Sequence, residues 1–169
     1  TAELARLRSQ LEPHFLLNTL NAIAGLVTEN PREARRLIAC LGDLLRDSLT
    51  DADELQPLED EIAWLRRYAE ILESRHAGTL AFHWDIEPSA KRAILPRLLL
   101  QPLVENAVKH GALRRREKHG EVTIRATVET RDGVKKVICT VEDNGPGLPN
   151  PEPRPGAFGL HSVRRRLAL

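Results

Sequence analysis

Methionine is missing altogether from this 169-residue chain, cysteine appears only twice, and Phe, Trp and Tyr together make up 4% of it. Each shortage excludes something. Cys40 and Cys139 are too far apart in sequence to form a paired-cysteine zinc or redox site, and two cysteines cannot make a disulfide framework. Both fall on apolar periodicities and read as buried, reduced thiols. So few aromatics disfavour an aromatic-rich β-sandwich and favour helices with aliphatic seams. Neither charge dominates: 25 basic and 24 acidic residues leave a net charge of +1, which excludes a bulk nucleic-acid binder. No apolar run reaches membrane-spanning length, and no signal peptide is visible. The content that remains, 41% hydrophobic and 29% charged, is enough to bury a core and is not that of a disordered tail. The chain lacks an initiating methionine and stops inside a helical pattern, so it is expected to be a piece of a longer protein.

Hydrophobic spacing divides the chain into two parts, a helical hairpin over 1–50 and an α/β unit over 56–169. In residues 2–11, Leu4, Leu7 and Leu11 have helical spacing, and Pro13 interrupts. A helix from about Phe15 to Val27 puts Leu16, Leu20, Ile23 and Val27 in one arc. His14, Asn18, Asn21 and Gly25 fall in the opposite one. After Asn30-Pro31, residues 32–49 form a strongly amphipathic helix with Ala34, Leu37, Ile38, Leu41, Leu44, Leu45 and Leu49 on one side. Two such helices bury too little alone, so self-association into a four-helix bundle is expected, with a second copy as partner. Residues 50–57 read as a polar linker, and Leu58 to Ser74 as a third helix with Ile62, Leu65, Ala69 and Leu72 in register. Alternation predicts strands over 80–86, 122–128 and 134–142, the last two joined by a turn at Arg131-Asp132-Gly133. Residues 96–110 read as a helix stopped by Gly111. Residues 143–157 hold three Gly and five Pro and read as a mobile loop, with a further helix beginning at 158.

Three segments carry chemistry. In Q-L-E-P-H-F-L-L-N-T-L-N, residues 10–21, His14 and Asn18 share one helix face at i and i+4. Neutral imidazole is a nucleophile near neutral pH and can accept a phosphoryl group. In L-V-E-N-A-V-K-H-G, residues 103–111, Asn106, Lys109 and His110 share a face. A carboxamide oxygen suits Mg²⁺, and a lysine can neutralise phosphate charge. In V-E-D-N-G-P-G-L, residues 141–148, Asp143 ends a strand where its carboxylate can accept a hydrogen bond from an exocyclic amine, and Gly145 and Gly147 free the backbone. Farther on, Gly159 and Leu160 open a helix whose N–H groups suit phosphates.

Taken in order, these segments resemble the LytS/YehU-type sensor histidine kinases of bacterial two-component systems. Residues 10–21 are similar to that family's phosphoacceptor box, 105–111 to its N box, 143–147 to its aspartate-containing glycine box and 156–167 to its second glycine box. Residues 57–75 are similar to its link between modules. Ala157 stands where the family usually has glycine, Ser162 where it often has asparagine, and Phe15 where many histidine kinases have an acid. The resemblance implies an α+β chain: a dimerising hairpin followed by a Bergerat-type α/β sandwich, here without its last strands. It implies ATP and Mg²⁺ as cofactors and His14 as phosphoacceptor. Asn106 would ligate Mg²⁺, and Lys109, His110, Asp143, Gly145, Gly147, Gly159 and Leu160 would belong to the ATP site. Glu12 and Glu105 are both candidate bases, and Asn18 is a candidate for orienting a water that dephosphorylates the partner. A response-regulator protein is the implied partner, with no nucleic-acid or membrane contact by these residues. The implied location is the cytoplasmic part of an inner-membrane sensor. The alternative is a degenerate kinase acting as a dimeric ATP-binding or scaffold module.

Overall fold

The computed structural model describes residues 11–49, 54–114 and 119–147. Helix α1 runs over Pro13–Glu29 and α2 over Pro31–Ser48. Pro13 begins α1, because the first turn needs no N–H from that residue. Asn30 closes α1 through its N–H to Leu26 and opens α2 by accepting from the Glu33 N–H at 3.2 Å. Helix α3 spans Leu58–Arg75. It buries the expected Ile62, Leu65, Ala69 and Leu72 and also Trp64, Tyr68 and Ile71, because it lies between the hairpin on one side and a sheet on the other. In α2, Leu37, Leu41 and Leu44 are buried against the chain's own α3 rather than held for a partner. The buried line of α1 is Phe15, Thr19 and Ile23, whereas Leu20 and Val27 of its apolar arc are about half exposed.

The sheet has three strands: β2 (Leu80–Ile86), β4 (Gly120–Arg131) and β5 (Val134–Asp143), in the order β2-β4-β5. β2 and β4 are parallel, and β4 and β5 form the expected hairpin. Asp132 and Gly133 both have positive φ, 52° and 75°, as the two central residues of a tight hairpin turn require. Val122, Ile124 and Ala126 of β4 point into the core with Leu80 and Phe82 of β2.

Two expectations fail. Residues 50–57 are not only a linker, since β1 (Leu55–Pro57) pairs antiparallel with β3 (Ile94–Pro96). Residues 96–100 are not helical. Helix α4 covers Gln101–Asn106, widens into a π turn over Ala107–Gly111 and tightens into a 3₁₀ turn over Ala112–Arg114. Gly111 therefore does not stop the helix but ends its π segment. The cause of the late start is Glu61 of α3. Its fully buried carboxylate accepts from the N–H of Leu98 at 2.7 Å, the N–H of Leu100 at 2.8 Å and the amide of Gln56 at 2.7 Å. That clamp holds Leu98 at φ 53°, a conformation that side-chain-bearing residues adopt at a cost of about 1–3 kcal/mol. Cys40 and Cys139 are free and only partly buried. Burial pushes both thiols above their ordinary value.

Candidate functional site

A cleft of about 620 Å³ opens between the start of α1 and the α4–π segment. Glu12, His14, Phe15 and Asn18 line one wall; Glu105, Asn106, Lys109 and His110 line the other; Tyr68, Leu72, Arg75 and His76 of the α3 end form the floor. The i, i+4 spacing read from the sequence acts here as written: Asn18 Nδ2 lies 3.0 Å from His14 Nδ1, so the amide tethers the exposed ring. Phe15, next to His14 and buried, anchors this wall by packing on Tyr68 with ring centroids 4.9 Å apart.

The second wall depends on its surroundings. Glu105 is partly buried, and that burial pushes its carboxyl above its ordinary value; the Gln101 amide, bonded at 2.8 Å, pulls the other way, Glu12 adds to the rise, and Lys109 opposes it. Lys109 Nζ reaches across the cleft to Glu12 Oε1 at 2.7 Å. The phenol of Tyr68 is pushed well up by burial and by Glu105 and Glu12, so it stays neutral. Arg75 lies over the Phe15 ring at 5.7 Å. Burial lowers its pKa, but arginine keeps its charge at neutral pH. Two cations, Arg75 and Lys109, thus face the same cleft as two carboxylates, Glu12 and Glu105.

Sequence reasoning did not single out Tyr68, Arg75 or His76. Their signal was faint: Tyr68 and Arg75 lie in the second half of the 57–75 segment and His76 directly follows it, but only the fold turns that part of the chain toward His14.

Asp143 is not in this cleft but stands directly behind it. A methyl group at Gly111 would sit 2.2 Å from the Asp143 carboxyl carbon, and one at Gly145 would sit 2.4 Å from the Gly111 carbonyl oxygen. Both glycines are therefore demanded by close approach of the second and third motifs. Asp143 Oδ1 accepts from the Gly145 N–H at 2.8 Å, and Asn144 ties the following turn to β4 through the Glu121 N–H at 2.8 Å. Gly147 has φ 77°, which explains a glycine there. Gly159, Leu160 and the part of the expected loop beyond Gly147 lie outside the described residues.

A family model described as histidine kinase matches residues 2–80, and one described as histidine kinase-, DNA gyrase B- and HSP90-like ATPase matches residues 92–167. The sensor histidine kinase YesM of Bacillus subtilis is 35% identical over 172 residues, covering 99% of this chain. The chain belongs to the sensor histidine kinases. Another relative, the sensor protein kinase HptS of Staphylococcus aureus, is 32% identical over 146 residues, or 86% of the chain. The chain spans only 29% of the length of YesM and 27% of that of HptS. Among solved structures, the histidine kinase domain of the EL346 blue-light activated kinase of Erythrobacter litoralis superposes with a TM-score of 0.51. At 21% identity it covers 99% of this chain and 82% of that one, so it supports the fold alone. The family and the α+β, Bergerat-type architecture agree with the resemblance drawn from the motifs.

The described residues suit the family's cofactors chemically. Asn106 offers a hard carboxamide oxygen of the kind Mg²⁺ accepts beside waters and phosphate oxygens, and Lys109 adds a positive charge to the same wall. Asp143 offers an exposed carboxylate held in place by a backbone N–H. Among the described residues, no helix is long and apolar enough to cross a membrane.

Proposed function

We propose that this chain is the kinase core of a two-component sensor. ATP held at the Asn106 wall phosphorylates His14, and the phosphoryl group then passes to an aspartate of a response regulator. One observation carries this reading: the family-like phosphoacceptor and the family-like nucleotide wall line a single cleft. Asn106 would hold Mg²⁺, which supplies charge neutralisation at the phosphates, and Asp143 would read the adenine amine. Lys109 and Arg75 bring positive charge to the transferring group. Positioning and charge neutralisation are what phosphoryl transfer chiefly needs. Glu12 and Glu105 both reach the cleft as proton acceptors, and the raised carboxyl of Glu105 suits that task. Asn18, beside His14, orients a water for dephosphorylating the regulator. The exposed Leu17, Leu20, Val27 and Ile38 of the hairpin supply an apolar surface for a second copy. In the cell these residues would sit on the cytoplasmic side of an inner-membrane sensor.

Labelled γ-phosphate tests the reading. The wild-type chain should gain an acid-labile, base-stable label in the presence of Mg²⁺, and His14→Gln should bind ATP and gain none. Asn106→Ala should lose the Mg²⁺-dependent part of ATP binding. Asp143→Asn should weaken ADP and ATP alike. Nucleotide bound with no label in the wild type would mark a non-catalytic module instead. Label retained by His14→Gln would overturn the assignment of the acceptor. Asn18→Ala should label normally and clear phosphate from the regulator more slowly.

A further inference from the structure

We infer that autophosphorylation runs in cis: the ATP held by one chain phosphorylates His14 of that same chain. The inference rests on the kinase reading above and adds to it the question of which chain supplies the acceptor. His14 and Asn106 belong to different modules, yet both line one cleft of one chain. The Glu12–Lys109 pair bridges that cleft two residues from His14 and three from Asn106.

An exposed ion pair of this kind stabilises by only about 0–1 kcal/mol, so it reports the juxtaposition rather than causing it. The cause is α3, which is fastened to both walls. Toward the hairpin, Tyr68 packs on Phe15, Glu70 pairs with Arg36 at 2.5 Å, and Arg67 pairs with Asp47 at 3.0 Å. Toward the nucleotide wall, Glu61 holds the backbone at Leu98 and Leu100, one turn before α4. Arg97 adds a direct tie, donating to the Asp47 carbonyl at 3.1 Å.

In the step itself, a lone pair of the His14 ring forms an N–P bond to the γ-phosphorus. The bond from that phosphorus to the bridging oxygen breaks, and its electron pair leaves on ADP. The ring N–H proton passes to a carboxylate of the same cleft, Glu12 or Glu105, and on to water. No partner residue is needed.

Two tagged forms of the full chain, co-expressed and purified through both tags, decide the matter. Pairing wild type with a chain carrying both His14→Gln and Asn106→Ala gives about half the wild-type label in cis and none in trans. Pairing His14→Gln with Asn106→Ala gives none in cis and about half in trans. The opposite pattern in either pair overturns the inference while leaving the kinase reading intact. If the tags never co-purify, labelling in cis keeps a rate per chain that is independent of protein concentration, and a rate proportional to concentration overturns it. A wild-type chain that takes no label at all removes the kinase reading, and this inference with it.

Discussion

The two walls of the cleft are built in opposite ways. The His14 wall is one continuous helix whose functional pair, His14 and Asn18, is brought together by helical spacing alone. The Asn106 wall is a short helix that widens into a π turn. Its lead-in is held by Glu61 from another helix and its far end by Asp143 from another strand. The first wall can change its chemistry without disturbing the fold. The second cannot, because its shape is stored in contacts distant in sequence.

The severest challenge to that contrast is Glu61→Ala. It strips the acceptor from two buried backbone N–H groups and from Gln56, and should destabilise the protein by about 3–5 kcal/mol in urea titrations. Glu61→Gln keeps one acceptor oxygen and should cost less. A loss below about 1 kcal/mol for the alanine variant would mean that the second wall stands without its clamp.

The two close-approach glycines sharpen the contrast further. Gly145→Ala would drive a methyl into the Gly111 backbone, which cannot swing aside, and should cost about 1–3 kcal/mol. Gly111→Ala meets only the Asp143 carboxylate, which can turn away. Its main effect should be weaker nucleotide binding, with a smaller shift of the urea midpoint. Equal midpoints and equal nucleotide affinities for the two variants would contradict the packing described.

Glu105 gives a test by pH. Burial raises its carboxyl in the folded chain above the unfolded value, so the folded state binds the proton more tightly. Its contribution to stability is therefore full below the unfolded pKa and lost as pH rises through the folded pKa. Glu105→Gln lacks that loss. Its stability relative to wild type should improve as pH rises from the ordinary carboxylate range toward neutrality. Denaturation midpoints that run parallel across that range would show that Glu105 is not strained by burial.

The smallest effects belong on the first wall. Asn18→Ala should change stability by no more than about 0.5 kcal/mol, as expected for a surface site. Glu12→Gln, which breaks only an exposed pair, should cost no more than about 1 kcal/mol. Thermal unfolding of both variants checks this. A larger loss in either would show that this wall, too, is braced from outside its helix.

What was legible follows the same division. The three long helices and strands β2, β4 and β5 announce themselves by periodicity, and the Asp132-Gly133 turn by its residues. Strands β1 and β3 do not: each is three residues long, each ends in proline, and their paired residues lie 37 to 41 positions apart in the chain. The apolar run Leu98–Leu100 looks helical, and only the Glu61 carboxylate keeps it out of the helix. Leu20 and Val27 belong to the apolar arc of α1 and are about half exposed, while the inner line is Phe15, Thr19 and Ile23, because α3 approaches from that side and local spacing does not say which part of an apolar arc it will cover.

The sequence by itself determined the element types, the three motifs and their order, since these rest on local spacing and side-chain chemistry. It also determined that His14 and Asn18 share a face. The tertiary structure alone decided that His14 meets Asn106 in one cleft, that Arg75 and His76 join them, and that Gly145 must be glycine. Those outcomes depend on how α3 packs between the hairpin and the sheet, and on a buried carboxylate that must find its hydrogen bonds among residues 37 and 39 positions away.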